Sequence, residues 1–432
     1  MGGVMTGGGT AGAAPQTLQE RDRRLLAWLG AGLLAGGIPT HEVEQDLRTL
    51  ATTLGHPRAQ VACLPRGVWV TLSAGQPATF EGVEGGLRLE QLADGTALLA
   101  GLRAGRLTPE EALASLATLR AQPHRYKVPG LLAGGVLSGV GIALVLAPAW
   151  PSVAFAALLA PVTVVLMILS GRHRTISTLT PLLAAFSTAL VAFSAASAGL
   201  VTAPLWTLVA PIAVLLPGAT IVTGLVELAA GSMVAGTSRL GHGTVQLLLF
   251  ALGVGAATAL LDVPGELLDP TRPVELGWWA PLLGVAVVTL AISLMESLRL
   301  ALVPWVMVTA VATYLGQLLG QTLSDARWAG AFLGAVVAIL AATVVEFVRP
   351  QLPRSVVFLP SFWLLVPGSF GLISVTQLDA GPAVAFSAVV AVTLVIAAIA
   401  LGIVVGASLA FPLRRAARRV GLLHLLRRLR RG

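Results

Sequence analysis

Two apolar stretches long enough to cross a membrane are each interrupted near the middle by a Pro-Gly pair, in Leu215-Leu216-Pro217-Gly218 and Leu365-Val366-Pro367-Gly368. Proline removes a backbone donor and glycine frees the next φ, so an α-helix breaks there and leaves polar backbone groups unpaired. Within a bilayer such a break survives only where it is buried in protein or lines a cavity. The two pairs stand 150 residues apart. Interruptions in corresponding positions of two halves point to a polar site between those halves, near the bilayer midplane.

Composition agrees with the membrane setting, with 56% hydrophobic and only 11% charged residues. The net charge of +8 resembles a nucleic-acid signal until it is divided along the chain. Residues 1–127 hold 12 basic and 11 acidic side chains and residues 128–413 hold 8 and 9, so the excess is eight tail arginines. Arg414, Arg415, Arg418, Arg419, Arg427, Arg428, Arg430 and Arg431 surround Leu422, Leu423, Leu425, Leu426 and Leu429. That pattern reads as a basic amphipathic helix on an anionic lipid surface, with no nucleic acid as partner. Cys63 is the only cysteine, which excludes an intrachain disulfide or a cysteine metal cluster. His41-Glu42-Val43-Glu44 lacks the second histidine of a zinc motif, and the chain has no Walker or Gly-x-Ser-x-Gly signature. The expectation is no enzyme, no metal, no cofactor, and an ion gradient as the energy source.

Residues 1–16 read as a flexible Gly-rich tail and 17–127 as a small cytoplasmic α+β domain. Its predicted elements are a core helix around Leu25–Ile38, a helix from Thr40 to Leu54 with Thr40 as N-cap, strands near Gln60–Leu64 and Val68–Leu72, and a helix around Leu87–Leu102. The last helix opens at Thr108-Pro109-Glu110-Glu111, a capping box with proline at the first helical position. From Val128 onward ten segments approach the ~20 residues needed to cross hydrocarbon. They lie near 128–148, 151–169, 176–199, 205–227, 244–261, 278–296, 301–320, 328–346, 355–377 and 383–411. The predicted fold class is an all-α polytopic membrane protein of about ten transmembrane helices behind that α+β domain. Pro-Gly in helices four and nine implies two five-helix repeats, 128–262 and 278–413. An odd helix number makes them inverted. The tail follows at 414–432.

Loop charges set the orientation. Arg125, Lys127, Arg172, Arg174, Arg239, Arg299, Arg349, Arg354 and the tail fall on one side; Asp262, Glu266, Asp269, Glu275, Asp325 and Asp379 fall on the other with only Arg272 and Arg327. The basic side is cytoplasmic by the positive-inside rule, which places both termini there.

Each half-helix after a break offers free N–H groups and a positive dipole end suited to a carboxylate. The candidate substrate-binding residues are therefore Pro217, Gly218, Thr220 and Thr223 in the first half, and Pro367, Gly368, Ser369 and Ser374, with Thr376 beyond, in the second. Small hydroxyl residues also serve close helix packing. Glu227, Glu296 and Glu346 stand at helix ends as candidates for proton coupling or gating. The spacing of Glu296 to Arg299 and of Glu346 to Arg349 equally suits interfacial ion pairs. Glu227 has no basic neighbour before Arg239 and closes the broken helix, which makes it the preferred coupling group.

The chain resembles the threonine/serine exporter family of bacterial inner membranes. The resemblance rests on Gly37-Ile38-Pro39-Thr40-His41-Glu42-Val43-Glu44, Arg106-Leu107-Thr108-Pro109-Glu110-Glu111-Ala112, Leu216-Pro217-Gly218 through Glu227, Gly231 to Arg239, and Leu359-Pro360 with Val366-Pro367-Gly368. It departs at Glu42, where the family pattern usually carries arginine, and near Ser232, where the pattern usually carries an acidic residue. The resemblance implies a multi-pass inner-membrane protein that exports threonine and serine in exchange for protons, with a homo-oligomer open. The alternatives are an exporter of small dicarboxylates such as succinate, from a related branch, and a passive channel or sensor.

Overall fold

The computed structural model describes residues 18–268, 274–324, 326–349, 352–365, 372 and 382–429. Helices α1 (Leu18–Ala35) and α2 (Thr40–Thr53) lead into strands β1 (Gln60–Leu64), β2 (Gly67–Thr71) and β3 (Thr79–Gly82), followed by α3 (Leu89–Arg103) and α4 (Pro109–Ala121). The strands form one antiparallel sheet in the order β1-β2-β3. Alternation turns Val61, Cys63, Val68 and Val70 inward, where α1 and α2 cover them with Leu25, Leu29, Leu47 and Leu50. Trp69 points outward and pairs across the strands with Phe80, ring centroids 4.5 Å apart.

The predicted capping box is present: Thr108 Oγ1 accepts the Glu111 N–H, and Glu111 Oε2 accepts the Thr108 N–H at 2.8 Å. Thr40 is a correction, because Pro39 occupies the N-cap and Thr40 begins the helix. β3 had no sequence signal, since Thr-Phe-Glu-Gly lacks an apolar alternation.

Burial, with the Glu44 carboxylate beside it, pushes the Cys63 thiol up to about 12. The thiolate is the reactive form, so Cys63 should resist iodoacetamide in the folded protein at pH 8 and react after denaturation. Rapid alkylation of the native chain would contradict this burial.

The apolar helices are α5 (Lys127–Leu146), α6 (Trp150–Ser170), α7 (Arg174–Ser197), α8 (Pro204–Ile212), α9 (Gly218–Ala229), α10 (Met233–Leu261), α11 (Trp279–Met295), α12 (Val303–Leu323), α13 (Arg327–Val348), α14 (Arg354–Leu364) and α15 (Pro382–Leu429). Among the described residues seven helices are long and apolar enough to cross a membrane, or eight if the bent pair α8–α9 is one span. Each of the ten predicted segments contains a helix, and in the ninth the residues beyond Leu365, apart from Leu372, lie outside the described residues. Two boundaries differ. α10 starts at Met233 rather than near 244, taking in Arg239, and α15 continues through Pro412 into the basic tail, whose side chains lie outside the described set.

The helices pair in two parallel schemes. In one, α5 packs on α6 and α8, α6 on α7 and α8, and α7 on α8 and α10; in the other, α11 packs on α12 and α14, α12 on α13 and α14, and α13 on α14 and α15. The schemes meet where α5 crosses α11. That crossing requires glycine: a Cβ on Gly141 would lie 2.8 Å from the Val288 nitrogen, and one on Gly284 would lie 2.7 Å from the Gly141 carbonyl oxygen.

Candidate functional site

The predicted first break is a structural fact. A 3-10 turn over Ala213–Leu215 ends the first half-helix, Leu216 is extended at φ −65° and ψ 135°, and α9 restarts behind Pro217 with a bend of 63°. Pro217 and Gly218 are both buried. The first helical bond of α9 runs from the Ile221 N–H to the Pro217 carbonyl at 3.0 Å. The N–H groups of Gly218, Ala219 and Thr220 therefore precede the intrahelical ladder and point toward the break.

α9 and α10 form a tight hairpin, because Gly224 and Gly236 let their backbones touch; a Cβ on either would come within 2.9 Å of the other's carbonyl oxygen. This approach carries Arg239 back along α9 to Glu227. The carboxylate of Glu227 is fully buried, with Oε2 3.0 Å from Arg239 Nε. The Nε–H is not aimed at that oxygen, so the contact is an ion pair without a hydrogen bond. Oε1 accepts the backbone N–H of Thr40 at 2.9 Å. A carboxylate from the broken helix thus caps α2, where the free N–H groups and the dipole favour negative charge.

Glu296 makes a second such contact. It ends α11 and accepts the Leu89 N–H at the start of α3, 3.2 Å away. Ser297 follows in the left-handed region at φ 60°, its hydroxyl accepting the Arg125 N–H at 3.3 Å. Tyr126 donates to the Leu298 carbonyl and His124 lies 2.8 Å from the Met295 carbonyl. Arg299 faces Glu90 at 3.6 Å. Glu346 accepts the backbone N–H of Arg354, the first residue of α14, at 3.3 Å, and Arg349 stacks over Trp305. All three singled-out carboxylates therefore meet the N-terminus of another helix, two of them in the N-terminal layer.

Between that layer and the apolar helices lies a cavity of about 240 Å³. Pockets for drug-sized ligands run to roughly 300–1,000 Å³, so this space suits a small metabolite. The Gly36–Pro39 corner and Glu42 form one wall. Thr220 and Thr223 of α9, Arg239, and Arg354 with Phe358 and Phe362 of α14 form others. Two of the predicted substrate-binding residues are thus in the lining, while Pro217 and Gly218 are not. Pro367, Gly368, Ser369, Ser374 and Thr376 lie outside the described residues. The contribution of Glu42 had no sequence signal of its own, since Arg354, which it meets, is 312 residues away.

The family model described as "Putative threonine/serine exporter" matches residues 24–261, more than half of the chain. The chain belongs to this family. The segment matched to the threonine/serine exporter family contains the N-terminal layer, the broken helix, Glu227 and Arg239, and ends with α10. The second scheme of helices lies beyond it. Searches of curated proteins and of solved structures find no match. Family membership and the apolar helices make the chain a multi-pass membrane protein of a transporter family.

Proposed function

We propose that the protein exports threonine and serine across the cytoplasmic membrane in exchange for protons, through the cavity at the start of α9. The observation that carries this reading is the broken helix beside a small mixed-polarity cavity, in a chain of the exporter family. The side-chain oxygens of Thr220 and Thr223 would receive the substrate, and the free N–H groups behind Pro217 would attract its carboxylate as it moves toward the break. Pro367, Gly368, Ser369 and Ser374 would complete the path from the second half.

In this reading the ten segments are two inverted five-helix repeats, an arrangement supported by the matching pairing schemes and by the α5–α11 crossing. The excess of arginine and lysine on one side supports cytoplasmic termini, with the tail arginines on anionic lipid. Glu227 is the coupling carboxylate. Protonation would weaken its attraction for Arg239 and its hydrogen bond to Thr40, loosening the corner that roofs the cavity, so a proton and the closed arrangement oppose each other.

Efflux of labelled threonine, serine and succinate from preloaded proteoliposomes under an imposed pH gradient tests the reading. Threonine and serine efflux should accelerate with the gradient, and Thr220→Val with Thr223→Val should lower it about tenfold or more, as expected when two polar partners of a bound substrate are lost. Succinate as the preferred substrate, or efflux indifferent to the gradient, would replace it with a dicarboxylate exporter or a passive channel.

A further inference from the structure

The polar end of the cavity joins two distant parts of the chain. Glu42 stands in the first turn of α2, Arg354 is the first residue of α14, and Arg354 Nη2 donates to Glu42 Oε2 at 3.0 Å. An arginine at a helix start faces the positive end of the dipole, an unfavourable place for a cation. Here two carboxylates offset it: Glu42 at the guanidinium and Glu346 at the backbone N–H. Glu42 lines the cavity, and its side chain remains 41% exposed beside Arg354. The third charge in the lining, Arg239, lies against Glu227. The cavity lining therefore holds one carboxylate, that of Glu42, with the guanidinium of Arg354 that it meets and that of Arg239, whose charge Glu227 offsets, and the hydroxyls of Thr220 and Thr223 share the same space.

We propose that the Glu42–Arg354 pair recognises a zwitterion: the substrate's ammonium takes Glu42, its carboxylate takes Arg354, and the N-terminal layer thereby supplies a substrate-binding residue. The inference rests on the cavity being the transport site. Inserting a zwitterion exchanges one internal ion pair for two external ones, so neither protein charge is left bare in a partly desolvated space. A dicarboxylate would meet the guanidinium but be repelled by Glu42, and a monocarboxylate would leave Glu42 unsatisfied. Discrimination thus comes from a repulsive element as well as an attractive one.

The test is threonine binding to the purified full-length protein in detergent, with 3-hydroxybutyrate, which is threonine without its ammonium, as competitor. The wild type should prefer threonine. Glu42→Gln should weaken threonine binding about tenfold or more, the size of one lost charge-assisted hydrogen bond, and leave 3-hydroxybutyrate unchanged or tighter. Glu42→Asp should keep the preference for threonine. Equal weakening of both ligands would reduce Glu42 to a structural contact and overturn the inference, as would threonine binding untouched by Glu42→Gln. If Glu42→Gln does not fold, the wild type decides alone: equal affinity for the two ligands refutes zwitterion recognition. Failure of the transport-site reading looks different, because Thr220→Val and Thr223→Val would then also leave threonine binding unchanged.

Discussion

Glu227→Ala is expected to lower the stability of the folded protein by about 3–5 kcal/mol, the range for breaking a buried ion pair by removing one partner. The carboxylate is fully buried between the Arg239 guanidinium and the Thr40 N–H. Alanine would leave a mostly buried cation and a buried backbone donor without their partner at once. Thermal unfolding in detergent should show the loss, and proteolysis should release the N-terminal layer sooner than in the wild type. Glu227→Gln separates structure from coupling. Its amide oxygen can still accept from Thr40, so the layer should stay seated and threonine should still bind, but an amide cannot exchange a proton. Efflux should then lose its acceleration by an inward proton gradient. If Glu227→Gln vesicles keep the full gradient dependence, Glu227 is only a cap and the coupling group is elsewhere, with Glu296 and Glu346 next to test.

Gly141→Leu or Gly284→Leu should prevent correct assembly of the apolar helices. At each position the first added carbon already meets backbone atoms of the facing helix at 2.7–2.8 Å, and backbone cannot rotate away as a side chain can. Overpacking a tight core typically costs about 1–3 kcal/mol. Here the helix axes themselves must separate, so the loss should reach or exceed the upper end. Folded yield after solubilisation is the readout. Gly241→Ala and Gly255→Ala, where an added carbon meets nothing within 4 Å, are the controls and should fold normally. Normal folding of Gly284→Leu would show that the α5–α11 crossing is looser than described.

Much of the local structure was legible because its causes lie within a few residues. Pro217-Gly218 removes a donor and loosens φ in adjacent positions, and the helix bends there by 63°. Thr108 and Glu111 satisfy each other's backbone donors across one turn. Val61, Cys63, Val68 and Val70 fall on one face of their strands by the two-residue period and face the core. The start of α10 shifted for a tertiary reason: it extends back to Met233 because its first turns gain a partner in α9.

Apolar length, the Pro-Gly interruptions, charge asymmetry and capping signals are set by the chain alone, since each acts through backbone sterics or through neighbours on the same helix. Which charges meet was decided only by the tertiary structure. Glu227 and Thr40 are 187 residues apart, Leu89 and Glu296 are 207 apart, and Glu42 and Arg354 are 312 apart. A buried carboxylate needs a donor, but many helix ends offer one, and only the tertiary packing that brings the start of α2 beside Glu227 selects the N–H of Thr40. The same packing turns a glutamate in the N-terminal layer toward an arginine at the start of α14 and closes a cavity around both.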